Sequence, residues 1–400
     1  HGAMGDLGAA VAQAFEVVGV WPMDPGMVVE KDAVADNRVR SERADPVQPF
    51  DGCAAGPADN LLEFHDALGG VDMDRASVTL RTLSMADKRG PALEMLRAIL
   101  SQPQFPAAVF DREQARSISA LKEALTRPDA IASKAFWAAM YVAHPYGRYA
   151  TPESVSSLAR ADVVAFHAAH YTAQRATVAI VGDLSRAQAE SVAEQLTVGL
   201  PSGPAMAGVV LPKLPSGGEQ RIAHPAVQAH LLLGMPALRR GDPDFFPLLV
   251  GNYSLGGGGF VSRLMKEVRD KRGLAYSVHS YFMPLQQLGP FQIGLQTKKA
   301  QANDALKVTR EVLATFLAEG PSETELQAAK QNLIGSFPLR LDSNRKILEN
   351  VALIGFYDLP LDYLDRYPEN IEKVTVADIK AAYSRHVRPE HLVTVVVAGE

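Results

Sequence analysis

PESVSSLARADVVAFHAAHYTAQRATVAIVGD, residues 152–183, is repeated in outline by PENIEKVTVADIKAAYSRHVRPEHLVTVVVAGE, residues 368–400. At a fixed offset of 216 positions (368 − 152 = 216), Pro152 meets Pro368, Glu153 meets Glu369 and Ala161-Asp162 meets Ala377-Asp378. Further on, Ala165 meets Ala381 and His170 meets His386. Each copy then enters an apolar, β-branched run, ATVAIV or LVTVVV, that ends in glycine and an acid. A shorter echo joins ALEMLRAILSQPQF from Ala92 to ALKVTREVLATFLAEG from Ala305. Self-similarity at so long a period marks two homologous domains, not the stacked units of a solenoid.

Between the copies, LPSGPAMAGVVLPKLPSGGEQRI (residues 200–222) is rich in Pro, Gly and Ser and reads as a linker. The division that follows is a first domain over 6–200, a linker over 201–220 and a second domain over 221–400. The opening HGAMG reads as a cloning scar and is set aside. PALEMLRAILS, NDALKVTREVLATFLAE, RADVVAFHAAHY and VADIKAAYSRHV carry helix-period apolar positions. ASVTLRTL, AHLLLGMP, GLAYSVHSYF and GPFQIGLQT read as strands. Few strand-helix-strand units are short enough for a doubly wound sheet. The pattern therefore predicts an α+β fold of two homologous domains, each a mainly antiparallel sheet with helices packed on one face.

The totals narrow the function classes. With 45 acidic against 40 basic residues in 400, the net charge of −5 argues against a general nucleic-acid binder. No apolar run approaches the roughly 18 to 20 residues of a membrane span. A lone cysteine, Cys53, excludes an internal disulfide and a Cys-cluster zinc site, and leaves cytoplasm and periplasm equally open.

The densest candidate for chemistry is LGGGGFVSRLMKEVRDKRGLAYSVHSYF, residues 255–282. Gly256, Gly257, Gly258 and Gly259 lack the flanking pattern of a phosphate loop, and instead allow a tight turn or a close backbone approach. After them, Phe260, Leu264 and Val268 fall near one helical face, with Gly273 as a stop. Arg269 is placed in the last helical turn and Tyr276 just inside the next strand, where a charged fork and a phenol can share a carbonyl or oxyanion. The residues alone favour the plainer reading, a solvated or salt-bridged helix charge and an ordinary half-buried strand aromatic.

This segment, with AHPYGRYATPESVSSLARADVVAFHAAHYTAQRATVAIVGD (143–183) and the end of the chain from Phe356, resembles the pitrilysin (insulinase-type) zinc peptidases. That family includes the mitochondrial processing peptidases and the core subunits of the bc1 complex. The resemblance runs from about Asn60 to Glu400 and keeps several motifs in order. It implies two domains forming half of a clamshell around a peptide. In active members a helix of the first domain carries His-x-x-Glu-His, which binds zinc and activates water. The second domain supplies an Arg and a Tyr that contact substrate or steady the tetrahedral intermediate. By position these are Arg269 and Tyr276, with Gly256–Gly259 as a substrate loop.

None of the ten histidines begins or completes His-x-x-Glu-His. Where the motif should lie, near residues 35–58, the chain reads ADNRVRSERADPVQPFDGCAAGPA, which its prolines and glycines keep from forming the required helix. Residues 16–60 as a whole depart from the family's strands and helix. His65 has no second ligand at helical spacing. His167 and His170 share a face, but no acid lies within a turn of them there, and Tyr383 replaces the first of them in the second copy. His144, in HPYG, reads as a structural corner.

The expectation is therefore a chain without its own metal and inactive alone. It would be the non-catalytic subunit of a heterodimeric metallopeptidase, with zinc in a homologous partner and Arg269 and Tyr276 acting on peptide in trans. A peptide-binding or scaffold protein of the same fold is the alternative, and a homodimer without peptide ligand a third.

Overall fold

The computed structural model describes residues 14–22, 66–203 and 208–399. His65, Cys53 and most of the atypical 16–60 stretch lie outside these residues. Its first part does not: Ala14–Pro22 (AFEVVGVWP) forms strand β1, a half-apolar, β-branched run that the reading of 16–60 as strand-poor had missed.

The chain divides into two compact units, and each draws on both halves of the sequence. The first comprises residues 1–121, 150–207 and 339–359; the second comprises 122–149, 208–338 and 360–400. The chain passes between these units at the Pro/Gly-rich linker, at 207/208, and at four other places, 121/122, 149/150, 338/339 and 359/360.

In the first unit, β1, β2 (Asp66–Val71), β3 (Arg75–Leu83) and β4 (Thr177–Val181) form an antiparallel sheet in the order β2-β3-β1-β4. β1 is central and is buried on both faces, as strand alternation dictates. Val17 and Trp21 face the helices Ala86–Ser101 and Arg186–Thr197, through Leu93, Leu96, Val192 and Leu196. Val18 and Val20 face the opposite way, onto Leu348 and Ala352 of the helix Asn344–Phe356.

The second unit repeats this plan. Its strands β5 (Gly218–Ala223), β6 (Gln228–Leu238), β7 (Val278–Phe282), β8 (Gly289–Lys298) and β9 (Val393–Ala398) run in the order β5-β9-β6-β8-β7. Only β5 on β9 is parallel. One face carries the main core, where Leu231 and Leu233 meet Phe316, Leu326, Ile379 and Tyr383 from the helices Ala302–Glu319, Glu323–Gly335 and Val376–His386. The other face of β6 and β9 is covered by the helix Pro128–Met140. Phe136 of that helix is fully buried over Gly234, where a Cβ would lie 2.9 Å from the Phe136 ring and 2.1 Å from the Phe291 carbonyl.

The duplication is exact in register. Arg160–His170 and Val376–His386, the 3-10 turns Ala173–Arg175 and Pro389–His391, and the starts of β4 and β9 all correspond at the same offset (376 − 160 = 216). So do the two covering helices, Pro128–Met140 and Asn344–Phe356 (344 − 128 = 216). Each repeat gives its equivalent helix to the sheet of the other.

Candidate functional site

The helix Phe245–Asn252 runs on into a π-helical turn, Tyr253–Gly257, closed by Gly258 N–H donating to the Tyr253 carbonyl at 2.9 Å. A 3-10 turn over Gly259–Val261 follows, with Gly259 at φ +61. A second π-helical turn, Met265–Asp270, is closed by Lys271 N–H to the Lys266 carbonyl at 3.0 Å. Gly273, at φ +61, ends it, and Leu274 N–H reaches back to the Val268 carbonyl. The stop at Gly273 stands where the sequence places it. The single regular helix after the glycines does not: a 3-10 turn, a break at Ser262 and a π-helical turn replace it, and π turns often mark functional sites.

That winding corrects two expectations. Leu264 and Val268 are fully buried, but Phe260 turns outward and is 67% exposed, because it lies in the separate 3-10 turn and the extended backbone of Ser262 breaks the helical phase before Arg263. Tyr276 precedes the strand, which starts at Val278, and is 86% exposed.

The four glycines have separate duties. A Cβ on Gly256 would lie 2.4 Å from Ser280 Oγ and 2.6 Å from its backbone nitrogen; on Gly257, 2.5 Å from Asn252 Nδ2; on Gly258, 2.6 Å from the Tyr253 carbonyl. The nearest neighbours of these three are thus this chain's own backbone and side chains, whereas a Cβ on Gly259 would meet nothing within 4 Å. Asn252 and Ser280 complete the fastening: Asn252 Nδ2 donates to the Ser280 carbonyl at 3.0 Å and Ser280 Oγ donates to Asn252 Oδ1 at 2.6 Å, both buried. The segment is pinned to β7 and to the core below.

Arg263 ties it to a neighbouring helix. Its guanidinium donates to both Glu325 oxygens, Nε to Oε1 at 2.9 Å and Nη2 to Oε2 at 2.7 Å, and also to the Gly320 carbonyl. Burial alone would raise the Glu325 pKa, but Arg263 and the Ser322 N–H outweigh it and hold the carboxyl at about 2, against 4.5 ordinarily. Because the folded value is depressed, this stabilisation is complete above pH 4.5 and is lost as pH falls toward 2. Glu325→Gln is expected to lower stability at pH 7 by roughly 2 kcal/mol and to flatten the acid limb of a stability–pH curve. Parallel acid limbs for the two proteins would show that the pair carries no such linkage.

The structure brings Arg269 and Tyr276 together. The Arg269 guanidinium carbon lies 5.5 Å from the Tyr276 ring centroid and 4.7 Å from that of Phe260. Its nearest carboxylate is Asp270, at 4.0 Å and beyond hydrogen-bond reach. Glu267, the other acid of the turn, is taken by Lys271 and Arg272, which hold its carboxyl below the usual range. Among the described residues, then, Arg269 keeps its donor fork uncommitted beside two exposed rings. Sequence reading singled out Arg269 and Tyr276, which lie side by side here; it assigned Phe260 to the wrong face.

Among the described residues, metal-ligating geometry is poor elsewhere. His170 Nδ1 lies 2.9 Å from Arg175, and His167 stacks on Tyr171. Asp242, Asp244 and His386 do cluster, a grouping not foreseen from sequence. However, Asp244 is held by both Nε and Nη2 of Arg385, and His386 Nδ1 faces the Ala237 carbonyl. A trio so engaged, with an arginine over its central carboxylate, does not fit a hydrolytic zinc centre. His144 is a corner, as expected: its Nδ1 accepts from Tyr146 N–H and its Nε2 donates to the Val210 carbonyl. No helix among the described residues is long and apolar enough to cross a membrane.

A family model described as the peptidase M16 inactive domain matches residues 157–333. A crystal structure of a peptidase M16 inactive domain from Pseudomonas fluorescens superposes with a TM-score of 0.85 at 32% identity, covering 97% of this chain and 93% of that one. This chain belongs to the peptidase M16 family. An uncharacterized zinc protease of Mycobacterium leprae is 30% identical over 288 residues, 68% of this chain and 63% of that protein. A non-peptidase homolog from Helicobacter pylori is 24% identical over 346 residues, 85% of this chain and 79% of that one. The chain thus spans less than two thirds of the M. leprae protein. The two relatives' descriptions point in opposite directions on catalysis.

Proposed function

We propose that this chain is a non-catalytic subunit of a heterodimeric M16 metallopeptidase, in which Arg269 and Tyr276 contact the peptide while zinc and the general base belong to a homologous partner. The observation that carries this reading is the uncommitted guanidinium of Arg269 beside the exposed Tyr276, in a chain whose own histidines do not form the family's zinc motif. The division is chemically sound. A metal and its activated water must be adjacent, whereas donors that receive a carbonyl oxygen need only be aimed at it. Arg269 would supply a charged, planar fork and Tyr276 a phenolic donor, both fixed by a segment fastened to β7.

Arg269→Ala is expected to lower turnover of a labelled peptide by the assembled pair about tenfold, with Tyr276→Phe smaller, and to leave the zinc content of the pair unchanged. Unchanged turnover in both variants sinks the assigned roles. The Helicobacter relative, described as a non-peptidase homolog, favours a second reading: a peptide-binding or scaffold protein of the same fold. Copurification with a chain bearing His-x-x-Glu-His separates the two, since a scaffold has no need of one.

A further inference from the structure

Most arginines around the glycine loop are fixed by anions: Arg263 by Glu325, and Arg272 by Glu267. A carboxylate that fixes an arginine also occupies its fork and cancels its charge. Arg269 is fixed differently. Phe260 and Tyr276 contact it through their rings, and a ring engages the face of a guanidinium while the donors, which lie in its plane, stay available. Phe260 has no solvation reason to be 67% exposed. It is held out by Gly259 at φ +61 and by the turn that Ser262 closes, with both its N–H and its Oγ donating to the Gly259 carbonyl.

We infer that Phe260 is a positioning residue for Arg269, which together with Tyr276 holds the guanidinium by its face so that its edge is presented to a carbonyl or carboxylate group of a bound peptide. The peptide-facing part of this statement rests on the function proposed above; the positioning part does not. Without the ring at 260, the flexible three-methylene arm of Arg269 is free to leave that orientation or to approach Asp270, 4.0 Å away.

Two measurements test it. The first is side-chain NMR of Arg269, assigned by the signal lost in Arg269→Lys. Upfield ring-current shifts are expected in the wild type, are expected to be lost in Phe260→Leu, and are expected to return in Phe260→Tyr. The second is capture of a fluorescein-labelled unstructured peptide by this chain with its zinc-bearing partner. Phe260→Leu should weaken capture about three- to tenfold, Phe260→Tyr should restore it, and Phe260→Leu should add nothing once Arg269 is alanine. Arg269 signals that do not move in Phe260→Leu overturn the inference, as does an additive loss in the double variant. If the signals move as expected but Arg269→Ala leaves capture intact, positioning stands and the proposed function fails.

Discussion

Phe136→Ala is expected to cost the second unit about 3–5 kcal/mol, the usual range for emptying a fully buried phenylalanine site. Phe136 is 0% exposed on the helix Pro128–Met140, with its ring set over Gly234. The residue opposite the ring, Gly234, has no side chain with which to fill the void. The chain's two tryptophans make the measurement specific. Trp21 is buried in the first unit and Trp137, next to the altered site, in the second. In a Trp21→Phe background, urea unfolding followed by fluorescence reports the second unit, and Phe136→Ala should shift its midpoint strongly downward. A midpoint that stays in place would mean that this helix does not cover the β6/β9 face.

Gly256→Ala is the second large effect, at about 3 kcal/mol, near the upper end for overpacking. The added carbon meets Ser280 Oγ at 2.4 Å, the Ser280 nitrogen at 2.6 Å and Leu264 Cδ1 at 2.8 Å. A rotamer change can move the hydroxyl, but the nitrogen belongs to β7, which is held in register by β8. Gly259→Ala provides the contrast. Its Cβ would meet nothing within 4 Å, so only the cost of positive φ remains, about 1 kcal/mol. Thermal unfolding of both variants should show the buried glycine to be far the more sensitive. Equal losses would mean that the loop tolerates a methyl group against β7.

Much of this architecture was legible in the sequence. Pro152/Pro368 and His170/His386 exposed the duplication, and the periodic runs located most of the helices and strands. Such signals survive because alternation and 3.6-residue spacing are imposed locally by burial. The destination of the covering helices was not legible. Pro128–Met140 and Asn344–Phe356 are apolar enough to read as buried, but an apolar stripe does not say which sheet it covers.

The site was half legible for a similar reason. Arg269 and Tyr276 are named by residue type and spacing within a resembling segment. Phe260 was lost because its assignment assumed a uniform helical turn. Instead Phe260 lies in a 3-10 turn that Ser262 closes onto Gly259, and Leu264, Met265 and Val268 seat in the core beyond that break, an arrangement that no 3.6-residue pattern encodes. The Asp242–Asp244–His386 trio is likewise assembled from positions more than a hundred residues apart (386 − 242 = 144).

The reciprocal covering of the sheets has a bearing on how the polypeptide is born. Val18 and Val20, near the start of the described chain, find their cover in Leu348 and Ala352. During vectorial synthesis that face of the first sheet has no partner until the ribosome has released residue 352, long after the strands themselves have emerged. The nascent first unit therefore keeps an apolar face open to solvent while the 171 residues between the end of its last strand and Ala352 are made (352 − 181 = 171), an interval when chaperones engage such surfaces.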